Sequence, residues 1–200
     1  MREQTLIGVS AKGPCDILAA ANNPCVAAHS TVRALYERYD GPLYTVTHPN
    51  NASANISTLE PGGFANITAH EVFCATVDCV ISTIFDHSPQ GNHLRQRISD
   101  GVVHKMVNAS KHKIAVAGGV EVFGMWFDSG HGYHVDVTTG VAKGNDPESI
   151  YAVMSGNVPT LPCIALNIRM HCFEHALNER QAHTSMTNAA STMATLKTPS

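Results

Sequence analysis

The chain has 200 residues, of which 44% are hydrophobic and only 14% charged, with a formal net charge of −3 at pH 7. That length suits one domain with a sizeable core. No basic stripe with interleaved aromatics is present, which argues against a nucleic-acid partner, and no apolar run has the length of a membrane-spanning helix.

Residues 1–12 hold one arginine, one lysine and a brief apolar patch, Leu6-Ile7-Gly8-Val9, too short for the centre of a signal peptide. Cys15 and Cys25 follow, flanking an Asn22-Asn23-Pro24 turn. Just after them Val32, Leu35, Tyr36 and Tyr39 fall at i, i+3, i+4 and i+7, the spacing of one helix face. The periodicity predicts a short amphipathic helix there. The Ser30 or Thr31 hydroxyl can cap it by accepting from unpaired first-turn N–H groups. A Cys15–Cys25 bridge would tie that helix back to the head of the chain, and closing so short a loop stabilises by roughly 2–3 kcal/mol.

Residues 43–47 read as an alternating strand, 48–55 as a polar turn region, and 56–59 as a short strand stopped by Pro61-Gly62-Gly63. Residues 69–79 read as a loop or short helical turn, bounded by a second local cysteine pair, Cys74 and Cys79. The run Val80-Ile81-Ser82-Thr83-Ile84-Phe85-Asp86 is the best strand of the chain, rich in β-branched residues and ending in turn chemistry at Ser88-Pro89-Gln90-Gly91-Asn92. Further strands are expected within 102–107, 114–116, 120–127 and 150–154, punctuated by Gly118-Gly119, Gly130, Gly132 and Gly140. Short strands, glycine-rich turns and almost no helix predict an all-β protein, a β-sandwich. Neither an internal repeat nor a domain linker is visible before residue 156.

Six cysteines do not by themselves prove oxidation. Cys74 and Cys79 are open to two readings, free thiols or a local disulfide. Four glycosylation sequons accompany the cysteine pairs, at Asn51, Asn55, Asn66 and Asn108. Together they favour a secreted protein, and the missing signal then implies an incomplete N-terminus.

Residues 13–44, ending Tyr39-Asp40-Gly41-Pro42-Leu43-Tyr44, resemble the start of the catalytic domain of glycoside hydrolase family 54, the fungal-type α-L-arabinofuranosidases B. Phe85-Asp86-His87-Ser88-Pro89-Gln90-Gly91-Asn92-His93-Leu94 is similar to that family's Tyr-Asp-Gln-Ser-Gly-Asn-Gly-Asn-His-Leu, departing at His87, Pro89 and Gln90. Ser129-Gly130-His131-Gly132-Tyr133 and Ile150-Tyr151-Ala152-Val153-Met154-Ser155-Gly156 also resemble it in order and spacing. The resemblance covers 13–156 as the N-terminal part of a lectin-like catalytic sandwich. It implies a Cys74–Cys79 disulfide, secretion, and retaining hydrolysis of terminal α-L-arabinofuranosyl groups on arabinan and arabinoxylan, without a cofactor.

Beyond 156 the resemblance stops. In the family, Tyr-Ala-Val leads to Cys-Cys-Phe-Asp-Tyr-Gly-Asn-Ala-Glu, whose adjacent cysteines form a vicinal disulfide against the sugar. Here the tail Asn188-Ala189-Ala190-Ser191-Thr192-Met193-Ala194-Thr195-Leu196-Lys197 back-translates, with legal codons, to DNA that spells this motif from its third nucleotide. Met193 and Ala194 force its glycine codon, and Met186-Thr187 force an aspartate codon upstream. A splice donor fits Gly156-Asn157-Val158, and Gln181 can supply an acceptor. The expectation is that 157–181 are a translated intron and 182–200 exon read out of frame, a non-homologous and disordered tail without a hydrophobic period.

A retaining glycosidase needs two carboxyl groups about 5–5.5 Å apart. The family's pair lies beyond the vicinal-cysteine motif, so the resemblance assigns no catalytic residue here and implies that these 200 residues are inactive. Asp86, Asp128, Asp136 and Glu121 read as turn and surface acids. Ser88 and Ser129 stand in no nucleophile elbow, and Trp126 reads as core rather than a sugar platform. His131 and His134 offer zinc only two ligands. Cys163, His171, Cys172 and His175 fall in the suspected intron, so no metal is expected. The competing readings are a glycan-binding, lectin-like sandwich without activity and, more weakly, an intracellular metal-binding protein.

Overall fold

A computed structural model describes residues 12–99, 101–154, 166–167 and 190–197. The described part is built of short strands with two short helices. After α1 (Pro14–Ala20) come β1 (Cys25–Ser30), β2 (Pro42–Thr47), β3 (Ser53–Ser57), α2 (Ile67–Phe73), β4 (Val80–Ile84), β5 (Leu94–Gln96), β6 (Ile98–Ser99) and β7 (Val102–Val103). Then follow β8 (Lys113–Ala115), a 3-10 turn, β9 (Glu121–Phe123), β10 (Tyr133–His134), β11 (Glu148–Met154), β12 (Leu166–Asn167) and β13 (Ala190–Lys197). They form a six-stranded sheet in the order β12-β10-β5-β4-β2-β3, a three-stranded sheet β1-β13-β11, and the pairs β6-β7 and β8-β9. The expected all-β sandwich is the fold observed.

The main core lies on the six-stranded sheet. Leu43, Tyr44 and Val46 of β2, Ile81 and Ile84 of β4, and Leu94 of β5 are fully buried. β1 closes this core from above through Ala27, while Ala28 faces a second small cluster with Cys15, Cys25 and Leu35. Consecutive strand residues point to opposite faces, and every residue of β1 is buried. β1 is therefore an inner layer, and its small alanines let the six-stranded sheet and the α1 disulfide head approach from either side.

The helix expected on Val32, Leu35, Tyr36 and Tyr39 does not form; the helix of the head is α1, which precedes β1 in the chain. Ser30 Oγ does accept from the N–H groups of Val32 and Arg33, at 3.1 and 3.2 Å, as a cap would. The next donors are claimed elsewhere: Ala34 N–H by Gly63 O, Leu35 N–H by His87 Nδ1, and Glu37 N–H by Asp16 Oδ2. With its donors spent on distant partners, the segment cannot propagate a helical ladder. α1 has Pro14 at its first position, and Asp16 Oδ2 reaches back to the Gly13 N–H at 2.8 Å. Both are start signals.

Residues 67–73 are helical, overlapping the first part of 69–79, the stretch read as loop or helical turn. The disordered tail needs correction for Ala190–Lys197: this backbone is β13, paired antiparallel with β1 on one side and β11 on the other. Its unpaired N–H and C=O groups find two ready ladders there, which outweighs the lack of a hydrophobic period. Most of the stretch 157–189, including Cys163, His171, Cys172 and His175, lies outside the described residues.

Candidate functional site

Asp86, at the end of β4, is the polar hub between the two sheets. Its carboxylate is 3% exposed and accepts from Ala28 N–H (2.7 Å), Ser88 N–H (2.8 Å), Ser88 Oγ–H (2.7 Å) and Asn92 N–H (2.8 Å). Asn92 extends the clasp: its amide donates to Val26 O and Thr139 O and accepts from Thr139 N–H. The turn after β4 therefore locks β1 to the 139 loop. That role explains a buried carboxylate here without catalysis, because charged acceptors make the stronger hydrogen bonds.

Three histidines are buried, His29 and His87 beside this frame and His70 apart from it on α2, and the sequence marked none of them as functional. His87 accepts from Leu35 N–H on Nδ1 and stacks on Tyr39 at 4.4 Å, while its Nε2 has no partner. Burial, and to a lesser degree nearby His29 and His93, push its pKa down to about 3. His29 bonds Asn92 O through Nε2 at 2.8 Å, and burial lowers its pKa despite Asp86. His70, on α2, meets the Tyr44 hydroxyl at 2.8 Å and stacks on Phe123; burial lowers it to about 4. All three are held neutral because a buried imidazolium would lose its hydration.

The other acids are scattered at the surface. Asp128 takes Lys111 Nζ at 2.7 Å and Trp126 Nε1–H at 2.9 Å; the hydrogen bond from Lys111 is the main cause that lowers its pKa. Asp136 faces His134 at 3.4 Å, and Glu121 pairs with Lys113 at 2.7 Å. Each has a different partner. Trp126 is half-buried with Lys111 over its ring, so it is neither the core residue expected nor an open platform.

The two local cysteine pairs are bridged. Cys15–Cys25 joins α1 to β1, and Cys74–Cys79 joins the end of α2 to the start of β4. Among the described residues, one group of three metal-type donors converges on a common point, namely His48 with Cys74 and Cys79. His131 and His134 are not brought together: His131 Nδ1 serves Asp128 N–H, and His134 faces Asp136. Of the sequon asparagines, Asn51 and Asn55 are exposed. Asn66 and Asn108 are half-buried, their Oδ1 atoms accepting from Ala69 N–H and Ser110 N–H.

Short strands in two main sheets and a disulfide-bound head define the class as a disulfide-stapled all-β sandwich. Residues 14–196 match the family model described as "Alpha-L-arabinofuranosidase B, catalytic", and the chain belongs to that family of glycoside hydrolases. It is 41% identical over 153 residues to the probable α-L-arabinofuranosidase B of Aspergillus terreus, covering 73% of this chain and 30% of the relative. To the α-L-arabinofuranosidase B of Aspergillus niger it is 39% identical over 151 residues, covering 72% and 30%. A solved arabinofuranosidase complexed with arabinofuranosyl-α-1,2-xylobiose superposes with a TM-score of 0.66 at 38% identity, over 70% of this chain and 30% of that one. A family-54 α-L-arabinofuranosidase soaked with a cyclic sulfate inhibitor gives 0.67 at 36% identity, over 70% and 31%. The chain thus spans about 30% of the length of the curated relatives it matches.

Proposed function

We infer that this chain is the N-terminal part of a secreted retaining α-L-arabinofuranosidase that removes terminal α-L-arabinofuranosyl groups from arabinan and arabinoxylan, releasing L-arabinose. The observation that carries this reading is the family match over 14–196, together with the superposition on an enzyme holding an arabinofuranosyl-xylobiose. The sandwich supplies half of the chemistry, a rigid frame; the nucleophile and the acid/base of the retaining mechanism must both be added to it. The 200 residues alone are therefore inactive. Two disulfides and four sequons support passage through an oxidising compartment, with Asn51, Asn55, Asn66 and Asn108 as glycan acceptors.

The tail belongs to the same proposal. With a permitted choice of codons, the shifted frame over 190–197, the segment that forms β13 beside β11, can spell Phe-Asp-Tyr-Gly-Asn-Ala-Glu. Residues 157–181 are then intron and 182–200 exon out of frame.

Two measurements test this. The purified 200-residue chain is expected not to hydrolyse a p-nitrophenyl α-L-arabinofuranoside; turnover that co-purifies with it would refute the inactivity. Transcripts across 150–200 are expected to join Gly156 directly to the Cys-Cys-Phe-Asp-Tyr-Gly frame, and the protein so encoded to cleave the same substrate. A mature message that retains 158–181 as coding sequence sinks the account of the tail, and an inactive restored protein that binds arabinoxylan favours a lectin.

A further inference from the structure

We propose that Cys74, Cys79 and His48 form a redox-gated site for a thiophilic divalent cation such as zinc, closed in the disulfide form and opened by a dithiol. The geometry starts from strand register. β2 and β4 pair antiparallel with Thr47 opposite Val80, so the next step along each strand sets His48 opposite Cys79. α2 ends against the same point: Cys74 is its C-cap, and the Phe73 carbonyl lies 2.8 Å from His48 Nε2. The ligand atoms of all three residues lie within 4.8 Å of one another.

Three features suit a metal. The spacing Cys74-Ala75-Thr76-Val77-Asp78-Cys79 is C-x4-C, within the range of zinc-binding cysteine pairs. The hydrogen bond to Phe73 O places the ring proton of His48 on Nε2 and leaves Nδ1 with a free lone pair. A backbone carbonyl orients metal-bound histidines in this way. The backbone of each residue is also held by bonds that do not depend on the disulfide: His48 N–H to Ala52 O, Cys74 N–H to His70 O, and Cys79 O from Ala109 N–H. Breaking the S–S bond therefore leaves the three backbones anchored, with the two sulfurs free to turn about their Cα–Cβ bonds towards a shared cation. His48 and Cys74 are half-buried and Cys79 is buried, so solvent reaches the site from one side and can fill the fourth position.

A dithiol's thiolate attacks one sulfur of the Cys74–Cys79 bond, and closure of the dithiol's own disulfide releases two protein thiols. The dithiol is oxidised and the protein disulfide reduced, by two electrons. Each thiol then gives its proton to solvent as its sulfur binds the cation, which sheds a water for each donor it gains. In the oxidised chain neither sulfur carries a thiolate, and the site does not bind.

The test uses the full chain, as isolated and after reduction by dithiothreitol followed by anaerobic removal of the reductant, titrated with Co2+ and Zn2+. Reduced protein is expected to bind one Co2+ with a thiolate-to-cobalt charge-transfer band, and oxidised protein to show none. His48→Ala should weaken binding about tenfold or more. Because reduction also frees Cys15 and Cys25, and Cys163 and Cys172 are present as well, alkylation mapping supplies a second readout on the unmodified sequence. Zn2+ should protect Cys74 and Cys79 from iodoacetamide while the other four cysteines react. No charge-transfer band on reduction, an undiminished affinity in His48→Ala, or protection confined to the other cysteines would overturn the proposal.

Discussion

β4 and β11 are both strands that carry isoleucine and valine, and their surroundings treat them differently. On β4, Ile81 and Ile84 are fully buried. On β11, Ile150, Tyr151 and Val153 are 41%, 40% and 43% exposed. Ile150 and Tyr151 are consecutive and so point to opposite faces; neither face of β11 carries a complete layer. β4 sits inside the six-stranded sheet between β2 and β5, whereas among the described residues β11 pairs only with β13. A strand-forming sequence thus says that a ladder can form, and the neighbours decide whether it is covered.

The sharpest way to break this comparison is Asp86→Ala, which strips the acceptor from four buried donors beside β4. A loss of roughly 3–5 kcal/mol is expected in urea unfolding, because the N–H groups left behind stay buried. Removing the Cys15–Cys25 bridge with paired serines should cost about 2–3 kcal/mol through the loop it closes. Tyr133→Phe comes next. The hydroxyl donates to Ile81 O at 2.6 Å and accepts from Val107 N–H at 2.8 Å, so its removal should cost about 1–3 kcal/mol. Tyr151→Ser on β11 should change stability by no more than about 0.5 kcal/mol. A larger loss would show that β11 is covered after all.

Acidity probes the same contrast, because the depressed histidines lie on the buried side. His87 and His70 titrate at about 3 and about 4 in the folded chain, against 6.5 unfolded, and His29 is lowered too. The unfolded state therefore binds more protons as pH falls below 6.5. The stability these groups provide is complete above 6.5 and is lost progressively towards pH 4 and below. His87→Gln should flatten the slope of unfolding free energy by up to about 1.4 kcal/mol per pH unit, one proton's worth. An unchanged slope would mean that His87 is already accessible to protons.

What could be read from the residues varied with how local the governing interactions are. β2 and β4 announce themselves through β-branched and alternating residues, and the six-stranded sheet follows from them. β1 did not: Val26-Ala27-Ala28 shows no alternation because both of its faces are buried. The region after it carries a genuine helical period, yet Gly63, His87 and Asp16 take the N–H groups that a helix would need. α1 is marked in the sequence by local start signals, Gly13-Pro14 and Asp16, which compete with the helical period further on. The buried histidines could not be found from sequence, since their neutrality comes from contacts 26 to 63 residues away.

By itself the sequence determined the strand-rich class, the two short cysteine loops and the family, because those depend on local spacing and on motifs that stand in the chain as written. Tertiary structure alone decided that the helical period of residues 32–39 forms no helix, which strand lies between two layers, and that Asp86 is a hub rather than a surface acid. The reason is that an N–H, a carboxylate or an imidazole has several possible partners, and only the folded chain determines which one is within reach.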